Sequence, residues 1–506
     1  MNLFMLIKDN EFEKLETLMS KTTSHLEEHS RRKFLKSFGN SMAGLSLSGI
    51  FSGNQVFGAA PASSLINPMA PKPQNFAAKA KACIFLYMYG GPSQMDLFDY
   101  KPELQKNDGK EVNMEIRRGD LRKSRLLASK RKFNQYGDSG QWCSDAIPNI
   151  AKHMDKLAVI KSLYMDSFAH GSANLQMNCG RILQGHPSLG AWVAHGLGTT
   201  NPNLPGFVVM LDARGGPIPG AANWASGYMP AAYQGTVLRS KGNPILNLNP
   251  RSMITHSMQG DKIDAINAFN KMHLNGKESY SELSARIASY DLAYQLHTSA
   301  PEALNISSED EKTKQLYGLH MGKGEHNLSI PTSHFGRQCL IARRLIEKGV
   351  RFVQLYSGGG HQQQNWDAHN GAEENLSIHC PEIDVPVSGL LEDLDRRGML
   401  EETLVVWGGE FGRQPVSQGK NGGRDHNPKG FSYFLAGGGV KAGTSYGETD
   451  PLGHEAAVNK HHVRDLHATI LHLMGLDHDT LTYHYGGLDQ RLTGVVPAEV
   501  ISGVLA

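Results

Sequence analysis

Short, near-continuous apolar runs recur along the chain, and each stops at glycines or a polar turn. Ala82 to Tyr89 reads ACIFLYMY and ends at Gly90-Gly91-Pro92-Ser93. Similar runs lie at Leu157 to Leu163, Phe207 to Leu211, Gly349 to Tyr356, Thr403 to Trp407 and Phe431 to Ala436. Continuous rather than alternating apolarity is the pattern of a strand covered on both faces. Between these runs apolar residues recur at helical spacing. Leu340, Ile341, Leu345 and Ile346 do so within 333–348, stopped by Gly349. Val387, Leu390, Leu391 and Leu394 do so within 384–399, and Val463, Leu466, Ile470, Leu473 and Met474 form a third face, stopped by Gly475. The alternation predicts an α/β fold: a mainly parallel central sheet with helices on both faces, a three-layer αβα sandwich. Ligands of such a sheet bind at the carboxyl ends of its strands. Residues 250–325 break the pattern, being polar and helix-rich without clear strands, and are expected to form a helical insertion or cap.

The N-terminus follows a different logic. Ser30-Arg31-Arg32-Lys33-Phe34-Leu35-Lys36 matches the twin-arginine export pattern, and a weakly apolar stretch rich in Gly, Ser and Ala follows over 37–60. That stretch is too interrupted for a stable span, which needs about 20 predominantly apolar residues. Gly58, Ala59 and Ala60 offer a cleavage site. The expected organisation is a signal peptide over 1–60, a linker rich in Pro, Ala and Lys over 61–80 and one domain over 81–506. The expected partner is the twin-arginine export machinery, the expected location periplasmic or secreted, with no stable membrane anchor.

Composition narrows the chemistry. With 40% apolar and 20% charged residues, a chain of 506 residues can bury a large core. A net charge of +2 gives no field for nucleic acid. The five cysteines are odd in number and widely spaced, without a C-x-x-C pair, so neither a zinc ribbon nor a dense disulfide framework fits. Buried thiols are expected, one disulfide remaining the alternative. Many of the 23 histidines sit beside Asp or Glu in the C-terminal half, a metal-site composition.

Five clusters carry the candidate chemistry, most of them just beyond a strand. They are Asp96 and Asp99 in GGPSQMDLFD, Asp367 and His369 in NWDAHN, Glu410 in GGEFGR, Asp425 and His426 in GRDHN, and His461, His462, Asp465 and His467 at the last helix start. A lone D-x-H is more often a solvated turn than a ligand. Asp465 suits a helix N-terminus, and His467 falls on the apolar face of its helix. The first four clusters together place carboxylates and imidazoles at one sheet edge, a mixed donor set for divalent ions such as Zn, Mn or Ca. Two such ions could clamp the attacking and leaving oxygens of a phosphate or sulfate ester.

IFLYMYGGPSQMDLFDYKPEL, WDAHN, LEDLDRRGMLEETLVVWGGEFGRQP, GRDHNPKGFSYFLAGGGVKAG and DLHATILHLMGLDHDTLTY together resemble the bacterial family called domain of unknown function 1501, over about residues 80–500. The resemblance implies the alkaline phosphatase-like fold shared with sulfatases, and it implies a metal layout. Asp96, Asp367, His369, Glu410 and His426 would be ligands, with Asp425 beside them. Phe411 departs from that layout, standing where the superfamily usually has a histidine. For a nucleophile the corresponding stretch is SFAHGSANLQMNCGRILQG, with His170 and Ser172 as candidates and His170 equally a ligand. The sulfatase C-x-P-x-R signature is absent. Arg413 and Arg424 flank the metal loops and are candidates to pair an oxyanion. The leading expectation is an exported metal-dependent hydrolase of phosphate or sulfate esters, on a small molecule or a glycan. The alternative is a relative that binds metal or carbohydrate without catalysis.

Overall fold

A computed structural model describes residues 68–117, 119–240, 256–274, 301–419 and 421–506. The export signal, the start of the linker and parts of 241–300 lie outside the described residues. One compact unit covers Leu65–Ala506.

Nine strands of one sheet are seen among the described residues. In chain order they are β1 (Ala82–Met88), β2 (Leu157–Tyr164), β3 (Phe207–Met210), β4 (Thr236–Leu238), β5 (Phe352–Ser357), β6 (Thr403–Gly408), β7 (Phe431–Ala436), β8 (Thr444–Tyr446) and β9 (His461–His462). Their spatial order is β8-β2-β7-β6-β1-β5-β3-β4, with β9 also on β2. β1 lies centrally and parallel to both neighbours, Cys83 opposite Leu404 and Phe352. Only β7 runs against its neighbours, antiparallel to β6 and β2. All six apolar runs read from the sequence are strands of this sheet.

Among the described residues, the helices of eight or more residues are α1 (His170–Cys179), α2 (Leu189–Leu197), α3 (His256–Leu274), α4 (Thr332–Glu347), α5 (Ala372–Arg396) and α6 (Val463–Leu473). Strand side chains alternate, so β1 feeds two cores. Ile84, Leu86 and Met88 join Val353, Leu355, Val405 and Trp407 beneath Ile341 and Leu345 of α4 and Val387 and Leu391 of α5. Cys83, Phe85 and Tyr87 face the other way, with Met177 of α1, Trp192 of α2 and Leu466 and Ile470 of α6. Each such side chain, fully buried, contributes about 1.5–3 kcal/mol relative to exposure. The three-layer αβα sandwich is therefore present, with both faces of the sheet covered.

Two sequence expectations change in detail. α5 is 25 residues long and begins at Ala372, well before residue 384, with Pro381 and Pro386 inside it. Proline lacks the N–H a helix interior uses, and these two hid its first half. The end of the linker is tied to the domain: Lys72 N donates to Leu197 O, and Lys79 N and Ala80 N both donate to Leu473 O. Of the expected insertion, α3 and the short helix Glu311–Leu316 are described, and both are helical. All five cysteines are buried free thiols. No helix among the described residues is long and apolar enough to cross a membrane.

Candidate metal centre

The loops that leave β1, β2, β5 and β6 meet at one sheet edge. The turn after β1 carries Gly90, whose φ of +113° suits glycine; a β-carbon there would come within 2.5 Å of Trp366 N. This close approach lets Trp366 N donate to Tyr89 O at 2.9 Å and sets the loop that carries Asp367 and His369. His170 is the first residue of α1, following Ala169 as N-cap. His426 enters from the short antiparallel pair of Gly412–Arg413 with His426–Asn427.

His170, Asp367, His369 and His426 offer one ligand atom each, and these atoms all lie within 4.8 Å of one another. Asp367 is the hub. Its Oδ1 lies 3.0 Å from His369 Nε2, 3.2 Å from His426 Nε2 and 2.8 Å from the Arg413 guanidinium. Its Oδ2 lies 3.2 Å from His170 Nε2. Burial would raise the Asp367 carboxyl, but Arg413 and the three imidazoles hold it well below the usual carboxylate range.

Each imidazole is pinned through its other nitrogen. His170 Nδ1 is 2.6 Å from Glu410 Oε1, His369 Nδ1 is 2.5 Å from Gln418 Oε1, and His426 Nδ1 is 2.7 Å from the Phe168 carbonyl. A carbonyl oxygen only accepts, so His426 Nδ1 carries the hydrogen. Burial, helped by the Arg413 and His170 charges, pushes His426 down to about 4, against its bond to Asp367. His426 is thus neutral at pH 7 and its Nε2 presents a lone pair. For His170 burial again disfavours the charge, yet Asp367 and Glu410 on either side raise it to about 9. His170 Nε2 is buried and is not aligned for a hydrogen bond. Three imidazole nitrogens and one carboxylate converging with the outer nitrogens fixed is the donor arrangement that divalent metals use.

Phe411 explains itself in this setting. It is 1% exposed, and its ring lies 5.0 Å from that of His170 and 4.5 Å from that of His426. It acts as a wall for two imidazoles rather than as a donor.

The other sequence candidates fall around this group. Glu410 is fully buried and approaches His170 from the far side, both oxygens accepting from Gly90 N at 3.0 Å. Asp425 Oδ1 is 3.9 Å from His369 Nδ1. Asp96 is not brought into the group: Arg424 grips it with Nε at 2.9 Å and Nη2 at 3.2 Å, and the Ser93 hydroxyl donates at 2.5 Å. Arg424 is held by that pair and by Leu127 O and Gln414 O. Arg413 is fully buried and also donates to Gly90 O, Gly91 O, Arg424 O and Trp366 O. Both arginines are therefore engaged within the protein. Ser172 Oγ lies 2.5 Å from Ser167 Oγ and 3.3 Å from Ala169 O, in the first turn of α1. Asp99 pairs with Lys101 at 3.0 Å, and His467 Nε2 donates to Met177 O at 2.6 Å, both away from the group. Sequence reading did not single out Gln418, Asn174 or the Phe168 carbonyl. A backbone carbonyl leaves no mark in a sequence.

Residues 80–505 match the family described as protein of unknown function (DUF1501). The chain belongs to that family. No curated protein matches it in sequence. Among solved structures it is similar to the PsFucS1 sulfatase from Pseudoalteromonas sp., at 12% identity over 84% of this chain and 73% of that one, TM-score 0.33. It is also similar to a protein in the alkaline phosphatase superfamily from Vibrio parahaemolyticus, at 10% identity over 83% and 72%, TM-score 0.35. A third is the alkaline phosphatase from the Antarctic bacterium TAB5, at 11% identity over 78% and 98%, TM-score 0.31.

Proposed function

We propose that this protein is an exported, metal-dependent hydrolase of phosphate or sulfate esters, taking a small-molecule or glycan ester as substrate. The observation that carries the reading is the convergence of His170, Asp367, His369 and His426, with donor atoms within 4.8 Å of one another. The nitrogen-rich set favours Zn or Mn over Ca, which takes oxygen ligands. A divalent ion held there would polarise an ester oxygen and offset developing negative charge. The chain's own residues keep that place in order. Arg413 anchors Asp367, and Glu410, Gln418 and the Phe168 carbonyl each hold one imidazole by its Nδ1. The start of α1 adds backbone N–H groups beside His170, where an ester anion is stabilised. With His170 serving as a donor, Ser172 remains the nucleophile candidate of that turn, its Oγ held by Ser167 Oγ and Ala169 O. Export rests on the SRRKFLK motif at 30–36.

The test is metal analysis of the purified protein together with turnover on generic phosphate and sulfate monoesters. His170→Ala should abolish both metal and turnover, and Ser172→Ala should lower turnover with metal retained. The internal engagement of Arg413 and Arg424 favours a second reading, a metal-binding relative without turnover. Bound metal with no hydrolysis of any monoester would select that reading, and absence of bound metal would end both.

A further inference from the structure

Glu410 stands just beyond a central strand, where an acidic ligand is expected, yet its geometry gives it a different task. Its two oxygens are taken up on the side away from Asp367. Both accept from Gly90 N at 3.0 Å, and Oε1 accepts from His170 Nδ1 at 2.6 Å and from Asn174 Nδ2 at 3.2 Å. Asn174 is itself fully buried and held from three directions. Its Nδ2 also donates to His170 O at 2.7 Å, and its Oδ1 accepts from Tyr87 OH at 2.9 Å. One amide thus grips the backbone of His170 and the carboxylate that grips its ring, and the strand residue Tyr87 fixes the amide in turn.

We infer that Glu410, locked by Asn174 and Gly90, is a positioning residue that fixes the His170 ring with hydrogen on Nδ1 and Nε2 turned into the donor group, rather than a metal ligand. The inference rests on the metal-binding reading above and refines it: the inner set is three imidazoles and Asp367, and Glu410 acts through one of them. A carboxylate behind a ligating histidine fixes ring orientation and makes the ligand more basic, and its loss typically lowers metal affinity about 10–100-fold. The arrangement also accounts for a glycine at position 90, because its N–H reaches both Glu410 oxygens while a β-carbon there would collide with Trp366 N and Asp367 N.

The test uses the full chain and two variants, Glu410→Gln and Asn174→Ala. Zn2+ affinity is measured by competition with a chromogenic chelator. The ligand set is read from the absorption bands of the Co2+ form. The His170 Nδ1–H is followed as a downfield imidazole proton in histidine-15N protein, assigned by its loss in His170→Gln. In the wild type that proton should be present with and without Zn2+. Both variants should bind one ion with unchanged Co2+ bands but about 10–100-fold more weakly, and the His170 proton should move upfield or exchange with water. Altered Co2+ bands in Glu410→Gln would make Glu410 a ligand and overturn the inference. Zn2+ affinity within twofold of wild type, or an unmoved His170 proton, would overturn it as well. Should wild-type protein bind no metal, the functional reading fails separately, and the proton signal still decides whether Glu410 orients His170. Circular dichroism of each variant separates unfolding from loss of positioning.

Discussion

His369 and His426 turn their Nε2 atoms toward each other at 2.8 Å. Phe168 O and Gln418 Oε1 each accept from the opposite nitrogen of one of these rings. With its Nδ1 carrying hydrogen, the neutral His426 ring turns the Nε2 lone pair into a small space beside the Asp367 carboxylate, where His369 Nε2 also points. The His426 lone pair and the Asp367 carboxylate repel each other unless a proton or a cation lies between them. The relationship thus gives a physical reason for a cation at this edge of the sheet.

The first prediction follows directly. Zn2+ or Mn2+ should stabilise the purified protein against heat, and a chelator should reverse the effect. At a free concentration of 100 times Kd the gain is about 2.7 kcal/mol. His369→Ala and His426→Ala should each weaken binding by more than the roughly 100-fold expected for loss of an outer partner. Calorimetric titration and Tm with and without metal check this. A Tm indifferent to both ions would remove the centre.

Phe411 should matter through shape. Truncation to alanine removes a 1% exposed ring that abuts His170 and His426, and should cost about 3–5 kcal/mol of stability. Phe411→Leu should retain most of the stability and still weaken metal binding, since two imidazoles lose their wall. Denaturant melts beside metal titration would separate the two effects. Equal metal affinity in Phe411→Leu and wild type would show that the ring only fills space.

Much of this was legible in the sequence, and for identifiable reasons. β1, β2, β3, β5, β6 and β7 are announced by continuous apolar runs because both faces of the sheet are covered. β4, β8 and β9 have only two or three residues each, too short for any period to register. The reversed direction of β7 is invisible because an apolar run such as FSYFLA reads the same either way. At the site, D-x-H at 367–369 and the histidines 170 and 426 were recognisable by residue type. What a sequence does not carry is the side from which a group approaches. Glu410 reaches His170 from behind because Gly90 N captures its oxygens, and Asp96 is drawn away from the donor group by Arg424.

The Asp96–Arg424 pair gives a prediction that separates structure from chemistry. Both side chains are buried, at 3% and 1% exposure, and the guanidinium grips both carboxylate oxygens. Asp96→Ala leaves a buried cation without its partner, which costs about 3–5 kcal/mol. Metal stoichiometry should nevertheless stay at the wild-type value under conditions where the variant is folded. Elemental analysis beside a thermal melt checks this. A folded Asp96→Ala protein lacking metal would return Asp96 to the ligand set.

Stability should fall on mild acidification for a reason remote from the metal. Burial pushes the imidazoles of His467 and His153 each down to about 4. His467 lies on the buried face of α6 with Nε2 donating to Met177 O, and His153 Nε2 contacts Ser388 Oγ at 2.9 Å. In the unfolded chain both would titrate near 6.5. Between these values the unfolded chain takes up protons that the folded chain refuses, so the equilibrium shifts toward unfolding. The contribution is fully present above pH ~6.5, is lost progressively as pH falls to ~4, and changes no further below that. At its steepest each histidine adds about 1.4 kcal/mol per pH unit, so the pair adds as much as about 3. Urea melts at intervals from pH 7.5 to 4, in chelator so that metal binding does not contribute, should show this slope. His467→Gln removes one of the two titrations, and its slope over the same window should be shallower than that of the wild type. Parallel profiles for the two proteins would mean that His467 accepts its proton as readily folded as unfolded, and the buried neutral imidazole would be the wrong description.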